Sequence, residues 1–126
     1  MPRREPSAYV WDVRDACQSI VSFLAGMSKP EYLADEKTRA AVERKLITLG
    51  EAMNRLSALD PGMAAELGDA AQIVAFRNTL VHGYFKLDHD KVWTVLEEHL
   101  PPLHAAADTV WARFAPLYEA EDSVDS

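Results

Sequence analysis

Between Glu36 and Ser57 the apolar residues Val42, Leu46, Leu49, Met53 and Leu56 fall at spacings of 4, 3, 4 and 3. A strand alternates with a period of two and would scatter these side chains over both faces. An α-helix gathers them into one seam. A seam this long suits a helix packed in an antiparallel bundle. It needs partners, and three other segments offer them. Val10, Val13, Cys17, Ile20, Val21 and Leu24 make one apolar face at three- and four-residue spacing. Val92, Trp93 and Leu96 make a second, and Leu103, Ala106, Val110, Trp111 and Phe114 a third. Strand-type alternation is absent, and no repeat or Gly/Ser linker divides the chain. The expectation is an all-α fold, an antiparallel bundle of four to five helices. It forms one domain over residues 1–118, followed by an acidic tail over 119–126 that frays.

The breaks between these segments are equally legible. Gly26 and Pro30 end the first helix, which starts near Ser7. Ser28 and Glu31 have the spacing of a capping box, and a short turn then leads to Asp35, a suitable cap for the long helix. Asp60-Pro61-Gly62 breaks the chain, a short helix follows, and Gly68-Asp69 restarts it. A third main helix is expected from Ala70 to His82, terminated by Gly83. Asp88 caps the fourth, and Pro101-Pro102 kinks or breaks the path before the last. Gly50 lies inside the long helix. An interior glycine costs about 1 kcal/mol relative to alanine, so a close helix contact is its expected reason.

With 126 residues the chain can bury a core without disulfides. Cys17 is the only cysteine. It lies in an apolar stripe, where the expected role is a small core hydrophobe in a reducing cytoplasm. The amino terminus has no signal-peptide pattern, and no apolar run approaches the ~20 residues that span a bilayer. The formal net charge is −7. Residues 1–45 carry +1 and residues 46–126 carry −8. General nucleic-acid binding is therefore disfavoured, since phosphate neutralisation drives nonspecific affinity. An RNA-cleaving chain would need a local basic patch, for which Arg39, Arg44 and Lys45 are candidates. An acidic surface also suits a basic partner.

Chemistry concentrates in Arg77-Asn78-Thr79-Leu80-Val81-His82-Gly83-Tyr84. On an ideal helix with Ile73 at 0°, Phe76, Leu80, Val81 and Val74 span an apolar arc from about 300° through zero to about 100°. Arg77 falls inside that arc at about 40°. A guanidinium there needs a partner, because an unpaired buried charge is costly. Asn78 and His82 are four residues apart and so are surface neighbours, which lets the amide orient the imidazole. Arg77 and His82 lie about 140° from each other. Either the helix distorts near Gly83, or a second chain completes the site about a two-fold axis. Two imidazoles and two arginines in one cleft suit RNA cleavage without a metal. Glu51, about 180° from Val42, faces the cleft and Arg77 or pairs with Arg55 one turn on.

The Arg-x4-His-x-Tyr pattern of Arg77, His82 and Tyr84 resembles the signature of the HepT family, within the HEPN superfamily of helical ribonucleases. Leu49-Gly50-Glu51-Ala52 resembles the Gly-Glu-Ala element on that family's long helix. Val92-Trp93 with Leu100-Pro101-Pro102-Leu103 resembles the stretch after the signature. The resemblance covers roughly Val10 to Leu103. It implies a homodimeric HEPN-like bundle and a metal-independent RNA endonuclease without a cofactor, acting as the toxin of a toxin–antitoxin pair. It further implies an antitoxin of the MNT type, a small nucleotidyltransferase that transfers AMP to the signature tyrosine. Carried over, Arg77 and His82 are catalytic, Asn78 supports them, and Tyr84 is the modification site. One departure is the stretch Gly68-Asp69-Ala70-Ala71-Gln72, where many relatives carry Pro-Trp, a difference of loop and packing before Arg77. The alternative is a non-catalytic helical subunit that binds substrate for a nucleotidyltransferase.

His89, His99 and His104 lack metal-ligand spacing, and no cysteine cluster accompanies them, so no zinc site is expected. Trp11, Trp93 and Trp111 are expected in the core. No phosphate-cradling glycine loop is present.

Overall fold

The computed structural model describes residues 4–68, 71–82 and 87–118, without the side chains of Gln72 and Phe76. The described residues are all-α and contain no strand. Among the described residues seven helices follow one another, α1 (Pro6–Leu24), α2 (Lys29–Ala34), α3 (Glu36–Leu59), α4 (Pro61–Glu66), α5 (Ala71–His82), α6 (His89–Glu98) and α7 (Leu100–Trp111), with a further helical turn over 115–118. Two of them, α2 and α4, are only six residues long, and α4 is the short helix expected after Asp60-Pro61-Gly62. The stretch before Asp35, expected as a turn, is the helix α2, nucleated by its own cap.

The caps explain the boundaries. The Ser28 side chain accepts from the Glu31 backbone N–H, and the Glu31 carboxylate accepts from the Ser28 N–H at 3.0 Å, a complete capping box. These bonds hold the Glu31 carboxyl below its usual range, the backbone bond at Ser28 first. Asp35 accepts from the Thr38 N–H at 3.0 Å and from its hydroxyl at 2.9 Å, which starts α3 and likewise lowers the Asp35 carboxyl. Asp60 caps α4 through Met63, and Asp88 caps α6 through Asp90 and Lys91. α1 ends on Ala25 and Gly26, both at positive φ. The Pro pair does not interrupt α7. Leu100 begins it, and Pro101 and Pro102 occupy its first turn, where a missing N–H costs nothing.

α3 is the central element. Its seam of Val42, Leu46, Leu49, Met53 and Leu56 is buried, as expected. α1 covers it with Val10, Val13, Cys17 and Ile20, all fully buried. α7 closes over α1 with Leu103, Ala107 and Val110. Arg14 of α1 donates to Asp108 of α7 at 2.7 Å. Burial raises the Cys17 thiol to about 12, with the Asp108 charge adding to it, so the sulfur is an inert core group. Tyr32 of α2 is buried against Trp93 of α6, with ring centroids 5.3 Å apart.

Two expectations of α1 fail. Trp11 is 43% exposed and Val21 is 51% exposed. Trp11 lies about 160° from Val13 and Val21 about 80° from it on the helical wheel. The first is on the solvent face and the second at the edge of the stripe. Trp93 is buried as expected, and Trp111 is half-buried and stacked on Tyr118 at 5.2 Å. Among the described residues no helix is long and apolar enough to cross a membrane. Residues 119–126 lie outside the described part.

Candidate active site

α5 packs on the flank of α3 at Gly50, about 80° around the helix from Val42. A β-carbon at Gly50 would lie 2.4 Å from Arg77 Cβ and 2.8 Å from its Cγ. Neither distance is tolerable, so glycine is what lets the arginine stem lie against the α3 backbone. This is the close contact that an interior glycine implied. Ile73, one turn earlier on α5, is the buried anchor of the same contact.

The guanidinium is consequently held rather than solvated. The Arg77 side chain is 23% exposed. Its Nη1 donates to Asn78 Oδ1 at 2.9 Å, and its Nη2 donates to Glu51 Oε1 at 3.4 Å. Its Nε is buried and has no hydrogen-bond partner among the described residues. The partner demanded by an arginine inside an apolar arc is therefore Glu51, together with Asn78. Of the two roles open to Glu51, the structure shows the pairing with Arg77. The Asn78 amide takes its place beside the guanidinium through Oδ1.

His82 is the last residue of α5 and is exposed. Val81 beside it is also exposed, at 46%. The described chain brings Arg77, Asn78 and Glu51 together, and places His82 one turn beyond Asn78 on the same helix. Gly83 and Tyr84 fall outside the described residues, so the tyrosine has no described geometry. Among the described residues no three His, Cys, Asp or Glu are grouped to hold a metal ion.

A groove of about 520 Å³ adjoins this site. Met53 and Ser57 of α3, Ala64 and Ala65 of α4, and Ala75 and Asn78 of α5 line it. Asn78 thus borders both the arginine and the groove, a placement that periodicity alone could not show.

A second polar cluster lies toward the other end of α3. Tyr32 Oη, Arg39 Nε and His89 Nδ1 are buried without hydrogen-bond partners among the described residues. Glu43 sits among them, and burial raises its carboxyl above the usual range against the opposing pull of His89 and Arg39. Burial also lifts the Tyr32 hydroxyl to about 12, helped by the Glu43 charge. Arg39, expected in a basic patch, instead donates to the Leu33 carbonyl and serves the α2–α3 junction.

A family model described as ribonuclease HepT-like matches residues 13–110. The chain is 27% identical over 101 residues to a Methanocaldococcus jannaschii protein named as a candidate RNase, covering 80% of this chain and 83% of that one. It is 25% identical over 114 residues to a second such protein of the same organism, covering 87% and 100%. It is 28% identical over 101 residues to a Thermococcus cleftensis protein named as a candidate ribonuclease HepT, covering 80% and 91%. No solved structure matches the chain at a significant level.

Proposed function

From the membership of this chain in the HepT-like ribonuclease family, we propose that it is a metal-independent RNA endonuclease whose reaction is carried by Arg77 and His82. The observation that supports this reading most is the seating of Arg77. A guanidinium pressed onto a glycine and held by a carboxylate and an amide, on the helix that ends in His82, is a built site. A surface arginine of no function would not need an interior glycine on another helix.

In this mechanism the His82 imidazole takes the proton of a ribose 2′-hydroxyl. The 2′-oxygen attacks the adjacent phosphorus, and the bond from phosphorus to the 5′-oxygen breaks. A second imidazole, from another copy of the chain, gives its proton to the departing 5′-oxygen. Arg77 stabilises the charge on the phosphoryl oxygens in the transition state. The products are a 2′,3′-cyclic phosphate and a 5′-hydroxyl. The need for a 2′-hydroxyl confines the reaction to RNA. Asn78 supports the arginine.

The proposal includes a homodimer in the cytoplasm, a toxin role, and an MNT-type nucleotidyltransferase antitoxin. The Tyr84 hydroxyl would attack the α-phosphorus of ATP on that antitoxin and release pyrophosphate. The AMP group left on Tyr84 would add charge and bulk where a polyanion must bind. The net charge of −7 favours a second reading, a non-catalytic subunit that binds substrate for such a nucleotidyltransferase.

Purified protein incubated with RNA in EDTA is expected to cleave it and leave cyclic phosphate ends. Incubation with the antitoxin and ATP is expected to add whole adenylyl increments to the chain, lost in Tyr84→Phe. RNA left intact and the chain left unmodified would favour the second reading.

A further inference from the structure

The carboxylate of Glu51 comes from a different helix than Arg77 and His82, and two features bear on its role. First, it is 47% exposed, at a separation of 3.4 Å, so it adds little to stability. Second, it accepts from the terminal nitrogen that would meet a phosphate. A guanidinium has five N–H donors. Here one hydrogen of Nη1 is engaged by Asn78 and one of Nη2 by Glu51, while Nε–H is walled off by protein. One N–H on each terminal nitrogen is left for phosphoryl oxygens. The direction in which they point is fixed by Asn78 on one side and Glu51 on the other.

We infer that Glu51 is a positioning residue for the RNA cleavage, aiming the Arg77 guanidinium at the scissile phosphate while its own negative charge opposes substrate binding. The inference rests on the ribonuclease reading given above. Its two consequences act on kcat/KM in opposite directions. Losing the aim lowers kcat, because a misplaced group costs about 100-fold for an error of about 1 Å. Losing the charge lowers KM, because one fewer anion faces the polyanionic substrate. A carboxylate that merely held two helices together would move neither parameter in this pattern.

Four variants separate the terms. Glu51→Ala loses both acceptor and charge, so kcat is expected to fall about 10- to 100-fold, with KM falling as well. Glu51→Gln keeps an acceptor of the same length without the charge. It is expected to hold kcat within about threefold of the parent while KM still falls. Glu51→Asp keeps the charge but is one methylene too short for a bond already 3.4 Å long, so kcat is expected to fall with KM unchanged. Arg55→Ala, which removes the alternative partner on α3, is expected to leave both parameters at the parent values.

Steady-state cleavage of one oligoribonucleotide over a concentration series, alongside thermal melting of each variant, measures all of this. A parental kcat in Glu51→Ala would overturn the inference. So would equal kcat losses in the Ala and Gln variants, or a rise in KM in both. Arg77→Ala run in parallel keeps the two readings apart. If that variant is inactive and the Glu51 series is flat, only the positioning role fails. If Arg77→Ala cleaves like the parent, the ribonuclease site itself is misassigned.

Discussion

α3 makes two interfaces that differ in kind. Toward α1 it presents a buried seam that includes Leu46 and Leu49, and α1 contributes Val13, Cys17 and Ile20, all fully buried. Toward α5 it presents a bare backbone at Gly50 and a half-exposed carboxylate at Glu51, met by the stem and head of Arg77. The first contact is close-packed hydrocarbon, which suits stability and tolerates no chemistry. The second gives up apolar area to hold a cation in one orientation. One helix thus serves as core on one side and as a jig on the other. The division follows from geometry, since Gly50 and Glu51 lie about 80° and 180° from the seam.

If that division is sound, damage to the two interfaces should read out differently. The largest effect on stability is expected from Leu46→Ala on the core side. Truncating a fully buried leucine costs about 2–5 kcal/mol, seen as a lower midpoint in urea. The cleavage rate of the fraction that remains folded should change little. A parental midpoint would mean that α3 is not packed on α1 as described.

Gly50→Ala is expected to do the reverse. The new β-carbon overpacks the α3–α5 contact, at about 1–3 kcal/mol, but alanine recovers about 1 kcal/mol of helix propensity. The melting temperature should therefore fall only modestly, while cleavage falls by far more than the unfolded fraction explains. Full activity in Gly50→Ala would break the comparison, because the seat would then be dispensable.

A smaller effect is expected at Glu43. Its folded carboxyl is raised by burial, so the folded state binds the proton more tightly than the unfolded chain. This group favours folding at low pH, and that advantage is lost as pH rises through its folded value. At neutral pH the ionised form then costs stability, and Glu43→Gln is expected to melt slightly higher than the parent. Asp35 has the opposite sign. Its folded carboxyl is lowered by the Thr38 bonds, so its contribution is present above the unfolded value and is lost as pH falls through the folded one. Thermal melts of the parent and Asp35→Ala should accordingly converge in acid.

The bundle was largely legible in the sequence because caps and periodicity are local signals. Asp35 and Asp88 each start the helix that their position announced. Trp11 is the exception: it lies about 160° from Val13, opposite the buried stripe of its helix, and is exposed. The site was only half legible. That Arg77 needs a partner could be read from its position in an apolar arc. That Glu51 is the partner could not, because it lies 26 residues away and Arg55 offered an equal claim one turn on. The groove beside Asn78 needed three helices in space. Tyr84, prominent in the sequence, lies outside the described residues.

The central claim is that Arg77 and His82 carry out RNA cleavage. It is tested most directly by measuring single-turnover cleavage in EDTA with the parent, Arg77→Ala and His82→Ala, each shown by melting to be folded. His82 is exposed, so its removal should leave the fold intact. The account predicts cleavage by the parent and a loss of about 100-fold or more in each variant. Folded His82→Ala that cleaves at the parental rate would contradict it.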